Sequence, residues 1–324
     1  MDLNEFLAEW HNDSPTVLVH TSGSTGKPKP MFVEKRRMEA SARITCQFLG
    51  LKEGDTALLC MPLDYIAGKM MVVRALTCGL RLVSVEPKGC PVWEGPVDFA
   101  AMVPLQVWNL LQQAPERLRQ IRHLIIGGGA INDELATALK DLPNHIWSTY
   151  GMTETLSHIA LRRLNGSDRS DWYTPFEGIR VTLNEENCLV IDAPAVHEGS
   201  LVTNDIAELD SGRFRILGRK DNVICSGGIK IQIEEVERLL YPHLHVPFMI
   251  TKAPDIKLGE QVVLLTESED TTTIRTCCCQ VLPKYWQPRQ YVHIDRLPMT
   301  ATGKPARAEA EHLFLDKSMI VADI

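Results

Sequence analysis

Through the first two thirds of the chain, compact apolar runs alternate with stretches whose apolar positions recur every three or four residues. Residues 57–61, 82–85, 99–103, 124–126 and 145–149 are runs of the first kind, the pattern of buried strands. Residues 34–49 set Met38, Ala42, Thr45 and Leu49 on one helical face ahead of Gly50, and predict a helix. Residues 67–78, closed by Gly79, and residues 133–140 predict two more. Strands and helices in alternation imply an α/β fold with a mostly parallel sheet covered by helices. From 178 to 217 the runs become short and β-like between turn residues, which predicts a small β lobe. Beyond Asp221 the pattern changes again. An amphipathic helix over 233–240 and strands over 246–251, 262–266 and 291–294 predict a compact α+β domain of about 100 residues. The boundary is expected between Lys220 and Asp221, giving an N-terminal domain over 1–220 and a C-terminal domain over 221–324. No repeat or low-complexity linker separates them, so they are expected to join tightly.

Composition narrows the classes of function. At 324 residues and 44% hydrophobic, the chain can bury a sizeable core. A net charge of −7 argues against nucleic acid as partner, because counterion release needs a basic surface. No apolar stretch reaches the ~18 residues of a membrane span, and Asp2, Glu5, Glu9 and Asp13 do not make a signal peptide. A cytoplasmic protein is expected, and a homo-oligomer stays open. Nine cysteines without paired metal spacing read as reduced thiols, Cys277-Cys278-Cys279 included, since neighbours on a helix point in different directions.

Residues 17–29 read Val-Leu-Val-His-Thr-Ser-Gly-Ser-Thr-Gly-Lys-Pro-Lys. An apolar run leads into a loop of hydroxyls, glycines and lysines, which suits phosphate. Gly23 and Gly26 let backbone N–H groups converge on an anion, Thr21, Ser22, Ser24 and Thr25 add hydroxyl donors, and Lys27 and Lys29 add charge. Only two residues separate the glycines and Pro28 follows Lys27, so this is not a Walker A loop. Further segments follow in order. They are Gly128-Gly129-Ala130, Tyr150-Gly151-Met152-Thr153-Glu154-Thr155, Thr203-Asn204-Asp205, Gly218-Arg219-Lys220-Asp221 running into Ser226-Gly227-Gly228, and Pro298-Met299-Thr300-Ala301-Thr302-Gly303-Lys304. Together they resemble the adenylate-forming superfamily of acyl-CoA ligases, luciferases and peptide-synthetase adenylation domains, over about residues 16–307.

The resemblance implies ATP, Mg²⁺ and CoA as cofactor and co-substrates, and an acyl-adenylate made before the thioester. It makes Glu154 the Mg²⁺ ligand, Thr153 a phosphate contact, and Gly128, Gly129, Ala130 and Tyr150 the adenine slot. Asp205 becomes the carboxylate that accepts the ribose hydroxyls, Arg219 a ribose or phosphate contact, and Asp221 the hinge. Asn204 stands where the family usually has glycine. Lys304 would reach both the attacking carboxylate and the α-phosphate, and Gly227-Gly228 would pass the pantetheine arm of CoA after the second domain rotates.

The chain departs from its family at the front, where only 20 residues precede Thr21 instead of a substantial lobe. A short-form member is expected, with an acid pocket that is shallower or completed by another chain. The run Tyr65-Ile66-Ala67-Gly68-Lys69-Met70-Met71 after Met61-Pro62-Leu63 most resembles o-succinylbenzoate–CoA ligases of menaquinone synthesis. Tyr65 replaces the superfamily's histidine. Lys69 is expected to open a helix beside the acid pocket and face the free carboxylate of o-succinylbenzoate, or else to lie on the surface beside Met70 and Met71. Another aromatic or medium-chain acid, and a carrier protein in place of CoA, remain open.

Overall fold

The computed structural model describes residues 1–20, 30–129, 131–300 and 305–313. The expected phosphate loop (Thr21, Ser22, Gly23, Ser24, Thr25, Gly26 and Lys29), Ala130 and Lys304 lie outside the described residues.

Helix α1 (Leu3–His11) begins with a reciprocal cap, Asp2 accepting from the Glu5 N–H while Glu5 accepts from the Asp2 N–H. Strands β1 (Thr16–His20) and β2 (Pro30–Glu34) pair antiparallel as a separate two-stranded sheet, so the expected phosphate loop follows a hairpin strand and not a strand of the parallel sheet. Helix α2 (Lys35–Leu49) comes next. Then follow β3 (Thr56–Leu59), α3 (Ile66–Cys78), β4 (Arg81–Ser84), β5 (Val97–Met102), α4 (Pro104–Gln113), α5 (Pro115–Arg119), β6 (Ile121–Ile126), α6 (Asp133–Leu139), β7 (His145–Gly151), β8 (His158–Arg163) and β9 (Thr174–Pro175). They form a seven-stranded sheet in the order β4-β3-β5-β6-β7-β8-β9. The first five strands are parallel, and β8 and β9 are antiparallel additions.

Burial on both faces explains why these strands read as solid apolar runs rather than alternating ones. Ala57, Leu59, Phe99, Ala101 and Ile125 point to the side of α1, α2 and α3. Leu58, Ala100, Met102, Leu124 and Ile126 meet Val107, Leu110, Leu118, Leu135 and Leu139 of α4, α5 and α6 on the other. Helices α4 and α5 had no clear periodic signal, but Pro104 and Pro115 start both, where a missing N–H costs nothing.

Strands β10 (Arg180–Leu183), β11 (Cys188–Asp192), β12 (Ser200–Asp210) and β13 (Arg213–Arg219) form an antiparallel sheet in sequence order, the expected β lobe. Leu189, Ile191, Ala207 and Phe214 join it to the core on the α2–α3 side. A short turn (Lys220–Asn222) leads to β14 (Val223–Ser226), β15 (Ile229–Gln232), α7 (Ile233–Leu240), β16 (Phe248–Asp255), β17 (Gly259–Thr266), α8 (Thr271–Val281) and β18 (Gln290–His293). These make a five-stranded mixed sheet, with α7 and α8 packed on one face through Val236, Leu240, Ile274 and Cys278. Beyond Lys304, Arg307 is held by Glu237 of α7 (2.7 Å) and the Ile250 carbonyl (3.1 Å). No helix among the described residues is long and apolar enough to cross a membrane.

Candidate active site

Parallel α/β sheets leave backbone groups and loops free at the carboxyl ends of their strands, and ligands collect there. Strand β7 ends at that edge with Tyr150 and Gly151. The next residues, Thr153–Thr155, form one tight helical turn that Thr155 ties down by accepting from the Met152 N–H (3.0 Å) and donating to the Ser157 carbonyl (2.7 Å). The chain then reverses through Leu156 at φ +64°, a conformation that costs of order 1–3 kcal/mol for a residue with a Cβ. Gly151 is required there, because a Cβ would come 2.2 Å from the Ser157 carbonyl oxygen. Thr153 is buried and Glu154 half-buried. His197 donates to the Glu154 backbone carbonyl (3.2 Å), while the Glu154 carboxylate takes no hydrogen bond or ion pair from the described residues. At the neighbouring strand end, Gly127 packs its Cα against the Thr149 hydroxyl, where a Cβ would clash, and Gly128 turns at φ +76°. Gly129 faces the Pro104 ring.

The Tyr150 hydroxyl donates to Asp205 Oδ2 at 2.6 Å, and Arg219 Nη1 donates to Asp205 Oδ1 at 3.1 Å. Strand β12 from the lobe thus brings its buried carboxylate to the end of β7. Burial, then the Asp205 charge, pushes the Tyr150 phenol well above its ordinary value, so it stays a donor. The Tyr150 ring lies edge-on to Phe214 (5.0 Å) and tilted to Tyr173 (5.8 Å). Arg219 also reaches Asp221 through Nη2 (2.9 Å). Burial works against its charge, but the hydrogen bond to Asp221 and the charges of Asp205 and Asp221 outweigh it and raise its pKa. Asn204, the departure from glycine, donates to both oxygens of Asp221 at 3.2 and 3.3 Å. An unexpected residue therefore clasps the expected hinge.

The acid-pocket residues fall differently. Helix α3 begins at Ile66, so Lys69 is its fourth residue and not its first, and Tyr65 sits half-buried at the N-cap without a side-chain cap. Lys69 is 2% exposed, which corrects the expectation of a surface lysine. Its ammonium already pairs with Glu9 of α1 (3.3 Å) and lies 4.9 Å from the Phe6 ring centre, while Glu9 also accepts from the Leu18 N–H.

A second cation on α3 was missed. Arg74 is fully buried, has no acidic partner among the described residues, and leaves its Nε without a hydrogen bond. Nη2 donates to Ser157 Oγ at 2.7 Å, and the guanidinium lies 5.9 Å from the Phe99 ring centre. Burial lowers its pKa to about 10, so it keeps its charge at neutral pH. Ser157 continues to His158 Nδ1 (3.1 Å), and His158 Nε2 meets Thr45 Oγ1 (3.1 Å), which donates to the Ser41 carbonyl (3.1 Å). The protons on this chain are determined by its ends. Thr45 gives its hydrogen to Ser41, so His158 must donate from Nε2 and accept at Nδ1 from Ser157, whose oxygen receives Arg74. Burial, then the Arg74 charge, keeps the His158 pKa far below 6.5 and the ring neutral. The signal was present in the run Met70-Met71-Val72-Val73-Arg74-Ala75, an arginine inside an otherwise apolar segment of a buried helix.

Gly227 and Gly228, at φ +58° and +83°, form the two-residue turn between β14 and β15, which requires positive φ at both positions. Gly228 faces open space, and Gly227 donates its N–H to the Leu258 carbonyl.

The family model for AMP-binding enzymes matches residues 4–202. The acyl-CoA synthetase (AMP-forming)/AMP-acid ligase II-like protein from Dyadobacter fermentans is 32% identical with a TM-score of 0.64, over 94% of this chain and 92% of that one. The 2-succinylbenzoate–CoA ligase of Salmonella typhimurium is 29% identical over 81% of this chain and 60% of its own length, so this chain spans about three fifths of that relative. The o-succinylbenzoate coenzyme A synthetase of Bacillus subtilis, in complex with ATP and magnesium ion, shares the fold, with 23% identity, a TM-score of 0.76, and coverage of 90% of this chain and 69% of that one. The segments around Tyr150, Asp205 and Arg219, on this architecture and with that match, identify the chain as a member of the AMP-binding enzyme family.

Proposed function

We propose that the chain is an ATP-dependent acid–CoA ligase that works through an acyl-adenylate, and that its acid is o-succinylbenzoate. The family membership and the 2-succinylbenzoate–CoA ligases among its relatives support the reaction class. One observation carries the choice of acid. Among the described residues Arg74 is a buried cation without a carboxylate partner, one of its donors is unused, and it lies beside the turn that follows Glu154. An uncompensated buried charge is costly, so an anionic ligand is the natural complement. o-Succinylbenzoate keeps one carboxylate free while the other reacts, and a guanidinium receives such a group through two parallel hydrogen bonds. Arg74 takes over the role first expected of Lys69, which Glu9 occupies.

Joining a carboxylate to the α-phosphorus of ATP brings two anions together, so neutralising charge is the main requirement. The Glu154 carboxylate, a hard oxygen donor without a partner among the described residues, fits Mg²⁺, which would screen the phosphates. Asp205 would hold the ribose. A carboxylate has about four acceptor positions, and Tyr150 and Arg219 use two, leaving enough for a ribose diol. Gly127, Gly128 and Gly129 would border the adenine. Thr153, the hydroxyls and glycines of residues 21–26 with Lys29, and Lys304 would contact the phosphates. Domain division at 220/221 fits a hinge at Asp221, whose carboxylate meets Arg219 and Asn204 and whose turn precedes the last sheet. Rotation there would exchange Lys304 for the Gly227–Gly228 turn and admit CoA. ATP and CoA as co-substrates support a cytoplasmic place for the reaction.

The test is ATP–pyrophosphate exchange across a panel of acids, then thioester formation with CoA or a carrier protein. Exchange driven by o-succinylbenzoate and thioester made from CoA are expected. Exchange only with simple aromatic or medium-chain acids would retain the ligase class and reject the acid. Transfer only to a carrier protein would reject CoA.

A further inference from the structure

At the amino edge of the seven-stranded sheet, opposite the edge that carries Tyr150, a cavity of about 400 Å³ opens beside the end of α5. Its floor is one row of the sheet. Thr56 pairs with Arg81, Ala57 with Phe99, Val97 with Ile121 and Phe99 with His123, so Arg81, Thr56, Asp98 and Arg122 stand at one level on neighbouring parallel strands. Side chains at one level of a parallel sheet share a face, and these share that of Leu58, Ala100 and Leu124, which α4, α5 and α6 cover. Arg119, the last residue of α5, and Gln120 after it complete the lining. From Arg122, strand β6 runs on towards Gly128 at the other edge, a span of roughly 20 Å at ~3.3 Å per residue. The cavity is therefore separate from the candidate active site.

The row already satisfies its own carboxylate. Asp98 accepts from the Thr56 N–H (2.8 Å) and hydroxyl (2.9 Å), and Arg122 spans Asp98 (3.4 Å) and Asp55 (2.5 Å). Arg81 and Arg119 face the same cavity from β4 and α5, and neither guanidinium makes a hydrogen bond or ion pair with the described residues. Elsewhere on the surface Arg36, Arg43, Arg180, Arg213 and Arg215 each pair with a carboxylate. Here three guanidinium groups meet two carboxylates, and one positive charge is left over. Like charges gathered in a recess repel one another, and cavity walls reduce the screening that water gives on an open surface. An anion removes that repulsion.

We infer that this cavity binds a small phosphate monoester. The phosphate carries close to two negative charges at neutral pH and three acceptor oxygens. Those oxygens match the planar forks of Arg81 and Arg119, and the charge neutralises the surplus. A phosphate alone fills only part of the space. The side-chain amide of Gln120, also without a partner among the described residues, offers a donor and an acceptor to hydroxyl groups, and Pro96 adds an apolar wall, which together suit a short hydroxylated carbon chain. The site uses none of the residues at the carboxyl edge, so it stands whichever acid is activated there.

The experiment titrates glycerol 3-phosphate into the full-length protein by calorimetry, with inorganic phosphate and glycerol as comparisons. A dissociation constant on the order of 0.1–1 mM is expected for the ester, a severalfold weaker one for inorganic phosphate, and no heat from glycerol. Arg81→Gln and Arg119→Gln should each weaken the ester roughly tenfold or more. The double variant should keep the KM for ATP, and its denaturation midpoint should be no lower than wild type, since it removes like charges from a recess. Glycerol 3-phosphate should also shield Arg81 and Arg119 from phenylglyoxal, read by peptide mass spectrometry. Unchanged affinity in both variants, or protection of other arginines in their place, overturns the site. Inorganic phosphate binding as tightly as the ester overturns the ester and assigns the cavity to the free anion.

Discussion

Two polar groups at the carboxyl edge of the seven-stranded sheet handle charge in opposite ways. Around Asp205 the charges have partners within the fold, with Arg219 between Asp205 and Asp221, while Tyr150 donates to Asp205 and Asn204 to Asp221, and acceptor positions of Asp205 remain open. Around Arg74 the hydrogen-bond partners among the described residues are neutral, Met71 and Ser157 and, through Ser157, His158 and Thr45. The first arrangement is stable before any ligand arrives and offers acceptors to a neutral diol. The second keeps a buried positive charge waiting, and the ligand that relieves it must be an anion. A matched site therefore selects by hydrogen-bond pattern and an unmatched one by charge, a division that suits one substrate shared by a whole family and another that varies.

The largest effect that separates the two should come from Arg74→Met. Losing two charge-assisted bonds in a dry site amounts to ~3–5 kcal/mol, so kcat/KM for o-succinylbenzoate should fall by roughly 10²–10⁴. The KM for ATP should stay within about threefold. Steady-state kinetics with each substrate varied measures both. Equal losses for acid and nucleotide would merge the two regions into one.

Asp205→Asn should have a smaller effect in the other direction. The amide keeps one acceptor but presents N–H to Arg219, so the KM for ATP should rise roughly ten- to a hundredfold. The KM for the acid should barely move. A nucleotide KM unchanged in this variant would remove Asp205 from the ribose.

How readily each region could be read from the sequence follows the same division. Tyr150, Asp205 and Arg219 lie in short segments that resemble the adenylate-forming set, and the structure joins them within 3.1 Å. Strand and helix positions were legible because buried parallel strands are solid apolar runs and helices α2 and α3 end at Gly50 and Gly79. Arg74, Ser157, His158 and Thr45 come from three separate elements, and no local spacing signals their meeting. Lys69 stands nearer the loop than Arg74 does, but whether a cation is free depends on what a distant helix supplies. Here α1 supplies Glu9 to one and nothing to the other. The pairing of β1 with β2 was hidden for a similar reason, since an apolar five-residue strand reads alike in either sheet.

The neutral state of His158 gives the Arg74 side an acid sensitivity. Its folded pKa lies well below 6.5 because of burial first and Arg74 second. As pH falls through 6.5, the unfolded chain takes up a proton that the folded chain refuses, so stability is kept above that value and lost below it. His123, held down to about 4 by burial and then by His145, adds a loss of the same sign between 6.5 and 4. The urea midpoint should therefore drop between pH 7.5 and 5.5, and His158→Gln should flatten part of that slope. An unchanged slope would mean that the ring is protonated in the native state.

The smallest effect on catalysis is expected from Lys69→Met, and it distinguishes a structural cation from a ligand-binding one on the same helix. Lys69 joins α3 to α1 through Glu9, which in turn holds the Leu18 N–H of β1, so its loss loosens three elements at once. Methionine fills the same space beside Phe6, and Glu9, about a quarter exposed, can turn to water. The cost to stability should then be about 1–2 kcal/mol, seen as a lower denaturation midpoint. The opposite change, Glu9→Gln, leaves the buried ammonium without its counter-charge and should destabilise more, by ~2–4 kcal/mol. In both variants the ratio of kcat/KM for o-succinylbenzoate to that for a benzoate-type monoacid should stay within about threefold of wild type, because a 1.4 kcal/mol contact would already shift it tenfold. A tenfold fall in that ratio for Lys69→Met, with stability unchanged, would move the anion from Arg74 to Lys69 and dissolve the contrast between the two cations of α3.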